Sequence, residues 1–163
     1  MKIRAEVAQQ QARGYAMVGE PMDKVERALG EAHRLLADFE SGHDDGGGRQ
    51  LSGHYSRAGL TLQTASCYIE AGQPARAAGL YHEVLRDKSL SRRDQGYFLA
   101  RRAYSLALAG QPDEAAAVGL TSVRLADATN SLRTKRELGR VVRSLGPWAT
   151  RPGPRELGEA LRG

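Results

Sequence analysis

The chain has 163 residues, of which 40% are hydrophobic and 26% charged, with a formal net charge of +5. That length favours one domain with a real core, and the balance is that of a soluble globular protein. The single Cys67 excludes an internal disulfide framework, no apolar run approaches the ~20 residues that span a bilayer, and Met1-Lys2-Ile3-Arg4-Ala5-Glu6 lacks the apolar stretch of a signal peptide, so a cytoplasmic protein is expected.

Residues 2–17 have helical character and stop at Gly19-Glu20-Pro21. Met22, Val25, Ala28, Leu29, Ala32, Leu35 and Leu36 then recur at helical spacing and mark a helix ending near Phe39. Residues 41–50, Ser-Gly-His-Asp-Asp-Gly-Gly-Gly-Arg-Gln, cannot bury apolar surface and read as a flexible loop, dispensable around residues 42–48. Leu60, Leu62, Ala65, Tyr68 and Ile69 mark the next helix, stopped at Gly72. Pro74 suits the first turn of the helix after it, lined by Ala77, Leu80, Tyr81, Val84 and Leu85. Ser91-Arg92-Arg93-Asp94 resembles a capping box with Asp in place of the usual Glu, and opens a helix to about Ala109. Gly110-Gln111-Pro112 breaks it, and Asp113 to Ala128 forms its partner. Leu138, Val141, Val142 and Leu145 give a further helix that Gly146-Pro147 ends, and Pro154 opens a last short one with Leu157 and Leu161 inward. No segment shows sustained strand alternation, so the expected fold is all-α.

Ala71-Gly72-Gln73-Pro74 recurs as Ala109-Gly110-Gln111-Pro112, a period of 38, and Val18-Gly19-Glu20-Pro21 is a weaker copy upstream. Each copy is a turn between helices. A lone hairpin cannot bury its own apolar face, and stacking supplies the missing core. Around these turns the sequence resembles the tetratricopeptide repeat (TPR) family. Ala65, Tyr68, Ala77 and Tyr81 stand where that pattern places small and aromatic residues around Gly72. Ala103 and Ala115 match around Gly110, where Leu106 and Gly119 replace the aromatics. Ala12 and Tyr15 match around Gly19, where Lys24 replaces a small residue. The period exceeds the family's usual ~34 residues, which implies a long segment around Asp87 to Ser91. The resemblance implies a right-handed superhelical array of antiparallel hairpins in a single domain over 1–163. Its hairpin units are about 2–40, 50–87 and 91–128, followed by C-terminal helices at about 131–162. Ala77 and Ala115 are expected to be buried at helix crossings.

A narrower resemblance runs through Glu31-Ala32-His33-Arg34-Leu35-Leu36, the Gly/Asp-rich loop, Cys67-Tyr68-Ile69-Glu70-Ala71-Gly72 and Gly96-Tyr97-Phe98-Leu99-Ala100-Arg101. Arg140-Val141-Val142-Arg143-Ser144-Leu145, Trp148-Ala149 and Arg155-Glu156-Leu157 continue it. This order is similar to the C-terminal domain of XRE-type helix-turn-helix transcriptional regulators of actinobacteria. It implies a sensor or protein-interaction domain that binds a protein or peptide, with a helix face that supports a homodimer. No DNA-reading helix-turn-helix precedes these motifs, which suggests an excised domain or a free-standing relative.

In the TPR family the first helix of each pair lines the concave groove. The matching positions are Gln9 and Arg13, then Leu62, Ser66 and Ile69, then Tyr97, Arg101 and Tyr104. Tyr97, Arg101 and Tyr104 share one helix face and, with Arg13, would suit a peptide bearing an acidic residue or free carboxylate. The plainer reading packs both tyrosines against the following helix. On the groove reading, Arg101→Ala and Tyr104→Ala weaken partner binding and leave the fold stable. The carboxylate clamp of chaperone-binding TPR proteins is not expected, because its places hold Gln9, Arg13, Gln63 and Tyr97 and only Arg101 fits.

Residues 131–163 hold eight Lys/Arg against three acids, which is the whole net charge. Arg133, Lys135, Arg136, Arg140 and Arg143 form a basic surface, read either as a solvated helix face or as a source of screened, long-range attraction. Nucleic-acid contact through this segment is an alternative, weakened by the presence of Trp148 as its sole aromatic. His43-Asp44-Asp45 lacks the spacing of a metal site, and His33, His54 and His82 are scattered. Cys67 reads as a small buried residue. A binding module without metal, cofactor or catalysis is therefore expected, with a free-standing scaffold or adaptor as the alternative to a regulator's domain.

Overall fold

A computed structural model describes residues 2–42, 56–88 and 90–163. The described residues form helices joined by turns, with no strand among them. The order is α1 (Lys2–Met17), α2 (Met22–Ser41), α3 (Arg57–Glu70), α4 (Pro74–Leu85), α5 (Arg92–Leu108), α6 (Pro112–Thr129), α7 (Leu132–Ser144), a 3-10 turn (Gly146–Trp148) and α8 (Pro152–Arg162). The expected loop 41–50 begins later than its sequence suggests, since Ser41 still belongs to α2. Its remainder, 43–50, lies outside the described residues, as does His54. The last helix starts at Pro152, two residues before the expected Pro154.

The three Gly-turns are built alike. Gly19, Gly72 and Gly110 have φ of 73, 75 and 75°, a left-handed conformation that other residues reach at a cost. Pro74 and Pro112 then occupy first-turn positions, where no intrahelical N–H is needed. The chain packs as two compact units, Met1–Gly72 and Gln73–Gly163, where the sequence suggests one domain. The division falls at the Gly72 turn, within the hairpin expected over 50–87.

In the first unit, α1 buries Ala5, Ala8, Ala12 and Ala16, a stripe of small residues that lets α2 approach closely. Ala12 and Ala16 meet Val25 and Leu29, whereas Ala5 and Ala8 meet Ala32 and Leu36, so the two helices are antiparallel. Leu60 joins the Ala5 cluster and Cys67 the Ala12 cluster, which sets α3 parallel to α1. Ser56 caps α3 by accepting the Gly59 N–H at 3.1 Å.

In the second unit, Ser91 Oγ accepts the Asp94 N–H at 3.1 Å, capping α5 as its sequence implies. α5 and α6 are antiparallel. Ser122 Oγ donates to Gly96 O at 2.7 Å near one end, and Arg102 pairs with Glu114 at 2.9 Å near the other. A Cβ on Gly96 would sit 3.1 Å from Leu125 Cβ, so glycine permits this approach. Ala77 and Ala115 are both fully buried.

After Asn130 ends α6 in the left-handed conformation (φ 53°), Ser131 caps α7 through the Thr134 N–H at 3.3 Å. α7 runs parallel to α5: Glu137 meets Arg101 and Arg140 meets Tyr104, each 36 residues on. α8 runs parallel to α6: Arg151 meets Asp113, and Leu157 covers Gly119, each 38 residues on. Gly146 likewise follows Gly110 by 36. α7 and α8 therefore repeat the α5–α6 hairpin at a similar interval, although little of the turn motif besides its glycine survives.

Candidate functional site: a tyrosine-backed basic face on α5 and α7

The parallel pairing of α5 and α7 builds the site. A helix turns every 3.6 residues, so Tyr97, Arg101 and Tyr104 form one row on α5, and Arg133, Glu137 and Arg140 form the matching row on α7. The rows meet rung by rung. The Arg133 guanidinium lies 3.6 Å from the centroid of the Tyr97 ring. Arg101 Nη1 donates to Glu137 Oε1 at 2.8 Å. Arg140 lies 4.7 Å from the Tyr104 ring centroid and reaches its hydroxyl at 3.5 Å.

The middle rung is closed. The Arg101 and Glu137 side chains are 13% and 8% exposed. Arg101 also donates from Nε to Tyr81 Oη at 3.2 Å, and Glu137 also accepts from Arg140 at 3.4 Å. Burial opposes the Arg101 charge, but Tyr81 and the hydrogen-bonded Glu137 outweigh it and hold its pKa above the ordinary value. The outer rungs are open. Arg140 is 47% exposed, and Arg133 is exposed with no hydrogen-bond acceptor among the described residues. Arg133 thus keeps its N–H donors for a carboxylate or phosphate, whereas Arg140 already gives one N–H from each terminal nitrogen to Glu137 at 3.4 Å and Tyr104 at 3.5 Å and keeps the others.

Several expected roles change here. Arg101 is not an open groove cation, because Glu137 and Tyr81 occupy it. Tyr97 and Tyr104 are half-buried, and each is faced by an arginine of α7. Two sets taken separately in the sequence, the α5 aromatics and the basic segment, thus form one face. The rest of that segment divides. Lys135 pairs with Asp127 at 2.9 Å, while Arg136 and Arg143 are exposed with no ion-pair or ring partner among the described residues. By unit, residues 73–163 carry 16 Lys/Arg against 9 Asp/Glu, a net +7, and residues 1–72 carry 8 against 10, a net −2.

The first unit holds the other expected groove residues. Gln9 is corrected: at 1% exposure it is core, not groove. It occupies the α1 position one residue after Ala8, and its Nε2 finds no acceptor among the described residues. Arg13 is exposed but leans on Glu70 of α3 at 3.6 Å. Leu62, Ser66 and Ile69 lie half-buried along α3. Cys67 is fully buried, and burial with the nearby Glu70 pushes its thiol up to about 11 against the opposing pull of Arg13, so it stays protonated at neutral pH. His33 gains a partner that its sequence did not reveal, with Nε2 3.1 Å from Thr64 Oγ1. Thr64 gives its own proton to Leu60 O at 2.8 Å, so it accepts here and His33 carries its proton on Nε2.

The sequence did not single out Glu137, and it read Tyr81 as a helix-lining aromatic without its bond to Arg101. Glu137 carried a readable signal: it stands among basic residues, immediately before Leu138 and one turn before Val141 on the apolar stripe of α7. An acid at the edge of such a stripe needs a cation from a neighbouring element.

Among the described residues no group of three or more His, Cys, Asp or Glu side chains could hold a metal ion, and no helix is long and apolar enough to cross a membrane. The described residues thus define an all-α protein whose second unit carries a basic, tyrosine-backed face. No protein-family model, curated protein or solved structure matches the chain.

Proposed function

We propose that this chain is a TPR-like interaction module that binds an acidic protein or peptide on the α5/α7 face, and that it acts as a binding domain rather than an enzyme. The observation that carries this is the pair of open outer rungs, Arg133 on Tyr97 and Arg140 on Tyr104, in a unit of net charge +7. Tyrosine and arginine provide contact area and directed charge at little entropic cost, a combination enriched at binding hot spots. The TPR-like reading is supported by the glycine turns at 72 and 110 and by the hairpin order of α5 to α8. The resemblance of residues 31–36, 67–72 and 140–145 to XRE-type regulators favours a sensor or interaction domain of a transcriptional regulator, with a free-standing adaptor as the alternative. A ligand would then act by favouring one arrangement of the helices over another.

The test is capture from native lysate on immobilised full-length chain, with mass spectrometry, run beside an Arg133→Gln/Arg140→Gln double variant. An acidic partner retained by the wild type and lost by the variant supports the reading. Partners indifferent to the double variant reject it. Duplex DNA measured by mobility shift is the competing arm. Retention of DNA that requires the same two arginines would assign the face to nucleic acid.

A further inference from the structure

We infer that the partner presents an acidic α-helix to the α5/α7 face, with two carboxylates seven residues apart and no acid midway between them. This rests on the proposed acidic partner and specifies its form.

The spacing follows from α7. Arg133 and Arg140 are seven residues apart, about 10 Å along the helix at 1.5 Å per residue. Both guanidinium groups have restricted reach. Arg133 is held against the Tyr97 ring at 3.6 Å, and Arg140 is held by Tyr104 and Glu137. The face therefore presents two cationic side chains, each tied to its own α5 or α7 neighbours, from backbone positions about 10 Å apart along α7.

Secondary structures meet that separation differently. In a helix, residues i and i+7 lie on one face and are also about 10 Å apart. In an extended strand, residues on one face lie about 7 Å apart at i, i+2 and about 13 Å apart at i, i+4, so neither matches. A helix laid along α7 reaches both ends without stretching either arginine.

The middle rung sets the second condition. The Arg101 charge is already taken by Glu137, and the pair is almost wholly buried. An acid placed over it would lose water and meet no open cation. An uncharged residue there carries no such penalty, whereas a lysine would meet a Glu137 already paired with Arg101 and Arg140. The pattern demanded is thus acid, neutral, acid, one requirement per rung.

The test uses full-length chain and labelled alanine/glutamine-based helical peptides whose helicity is checked by circular dichroism, read by fluorescence anisotropy at low salt. One peptide carries Glu at i and i+7, a second at i and i+4, and a third at i, i+4 and i+7. The i/i+7 peptide should bind about tenfold more tightly than the i/i+4 peptide, the scale of one added charge-assisted pair. The third Glu should weaken binding relative to the i/i+7 peptide, and an unchanged affinity overturns the requirement that no acid lies midway. Arg133→Gln and Arg140→Gln should each abolish the preference for i/i+7, with thermal melts showing that these exposed positions leave the fold intact. Equal binding of the i/i+7 and i/i+4 peptides overturns the helical register while leaving the acidic-partner reading in place. A gain from the third Glu overturns the closed middle rung. Failure of every acidic peptide to bind overturns both the inference and the proposed function.

Discussion

The guanidinium of Arg133 stacks 3.6 Å from the ring centroid of Tyr97, a residue 36 positions earlier on a parallel helix. The two rungs beyond it keep that offset, as Arg101–Glu137 and Tyr104–Arg140. Equal offsets are what parallel helices of equal pitch produce, so one docking of α7 on α5 fixes all three contacts together.

The middle contact leads to the first prediction. Removing Arg101 leaves Glu137 buried with its weaker partner, Arg140 at 3.4 Å. Breaking a buried ion pair costs about 3–5 kcal/mol, and the residual Arg140 contact places Arg101→Ala at the low end of that range. The sequence suggested that this substitution would leave the fold stable, and the burial of Glu137 reverses that expectation. Urea unfolding should show a large drop in midpoint for Arg101→Ala. Arg101→Met/Glu137→Met should recover most of it, since an apolar pair leaves no charge stranded. A stable Arg101→Ala would mean that water reaches Glu137.

Gln9 leads to the second. Its Nε2 is buried without an acceptor among the described residues, a condition that costs about 1–3 kcal/mol. Methionine has similar length and helix propensity and needs no partner. Gln9→Met should therefore raise the melting temperature, with a gain of about 1 kcal/mol. A lower melting temperature would show that Nε2 meets an ordered water or another acceptor.

A third concerns pH. Burial lowers the His33 pKa below its ordinary 6.5, and the positive Arg57 of α3 lowers it further. The unfolded chain therefore binds a proton more readily than the folded one. His33 contributes stability that is fully present above pH 6.5 and is lost as pH falls through the folded pKa. Melts taken from pH 7.5 downward should show this loss starting near pH 6.5, ahead of the carboxylates. His33→Gln keeps a donor for Thr64 but does not titrate, and should remove that early loss. A loss that persists in His33→Gln belongs to another group.

Legibility in the sequence followed the range of each interaction. The helices and their turns were readable because their causes are local: Gly110 needs its left-handed φ whatever surrounds it, and Ser91 caps its helix through the N–H of the third residue after it. Cys67 read as buried because an apolar stripe places it there. Gln9 misled because its position matches the TPR groove pattern, while α1 is packed through alanines so small that its neighbouring polar residue is covered as well. The α5/α7 face was half visible. The α5 row was identified, and Arg133 and Arg140 were named within a broader basic set, but their meeting depends on the parallel docking of α7, and no repeat of the Ala-Gly-Gln-Pro turn announced a further hairpin. Glu137 then remained one acid among arginines, and Arg101 kept a freedom that folding removes.

The last prediction separates a built site from a general positive field. α7 carries four exposed arginines: Arg133 and Arg140 are backed by tyrosine rings, whereas Arg136 and Arg143 are not. All four contribute equally to net charge, and their long-range attraction is screened within about 8–10 Å at physiological salt. An acidic ligand drawn only by the field should lose similar affinity when any pair is neutralised, and that loss should vanish as salt rises. A ligand seated on the rungs should behave differently. Arg133→Gln/Arg140→Gln should weaken it by about 1–3 kcal/mol, the scale of charge-assisted bonds, with part of the loss surviving at high salt. Arg136→Gln/Arg143→Gln should lower binding modestly and only at low salt. Titrations of one acidic peptide against both double variants, from low to high ionic strength, make the comparison at constant charge. If the two variants give the same curves, the tyrosine-backed rungs have no special role, and Arg136 and Arg143 count as much as the pair that the structure singles out.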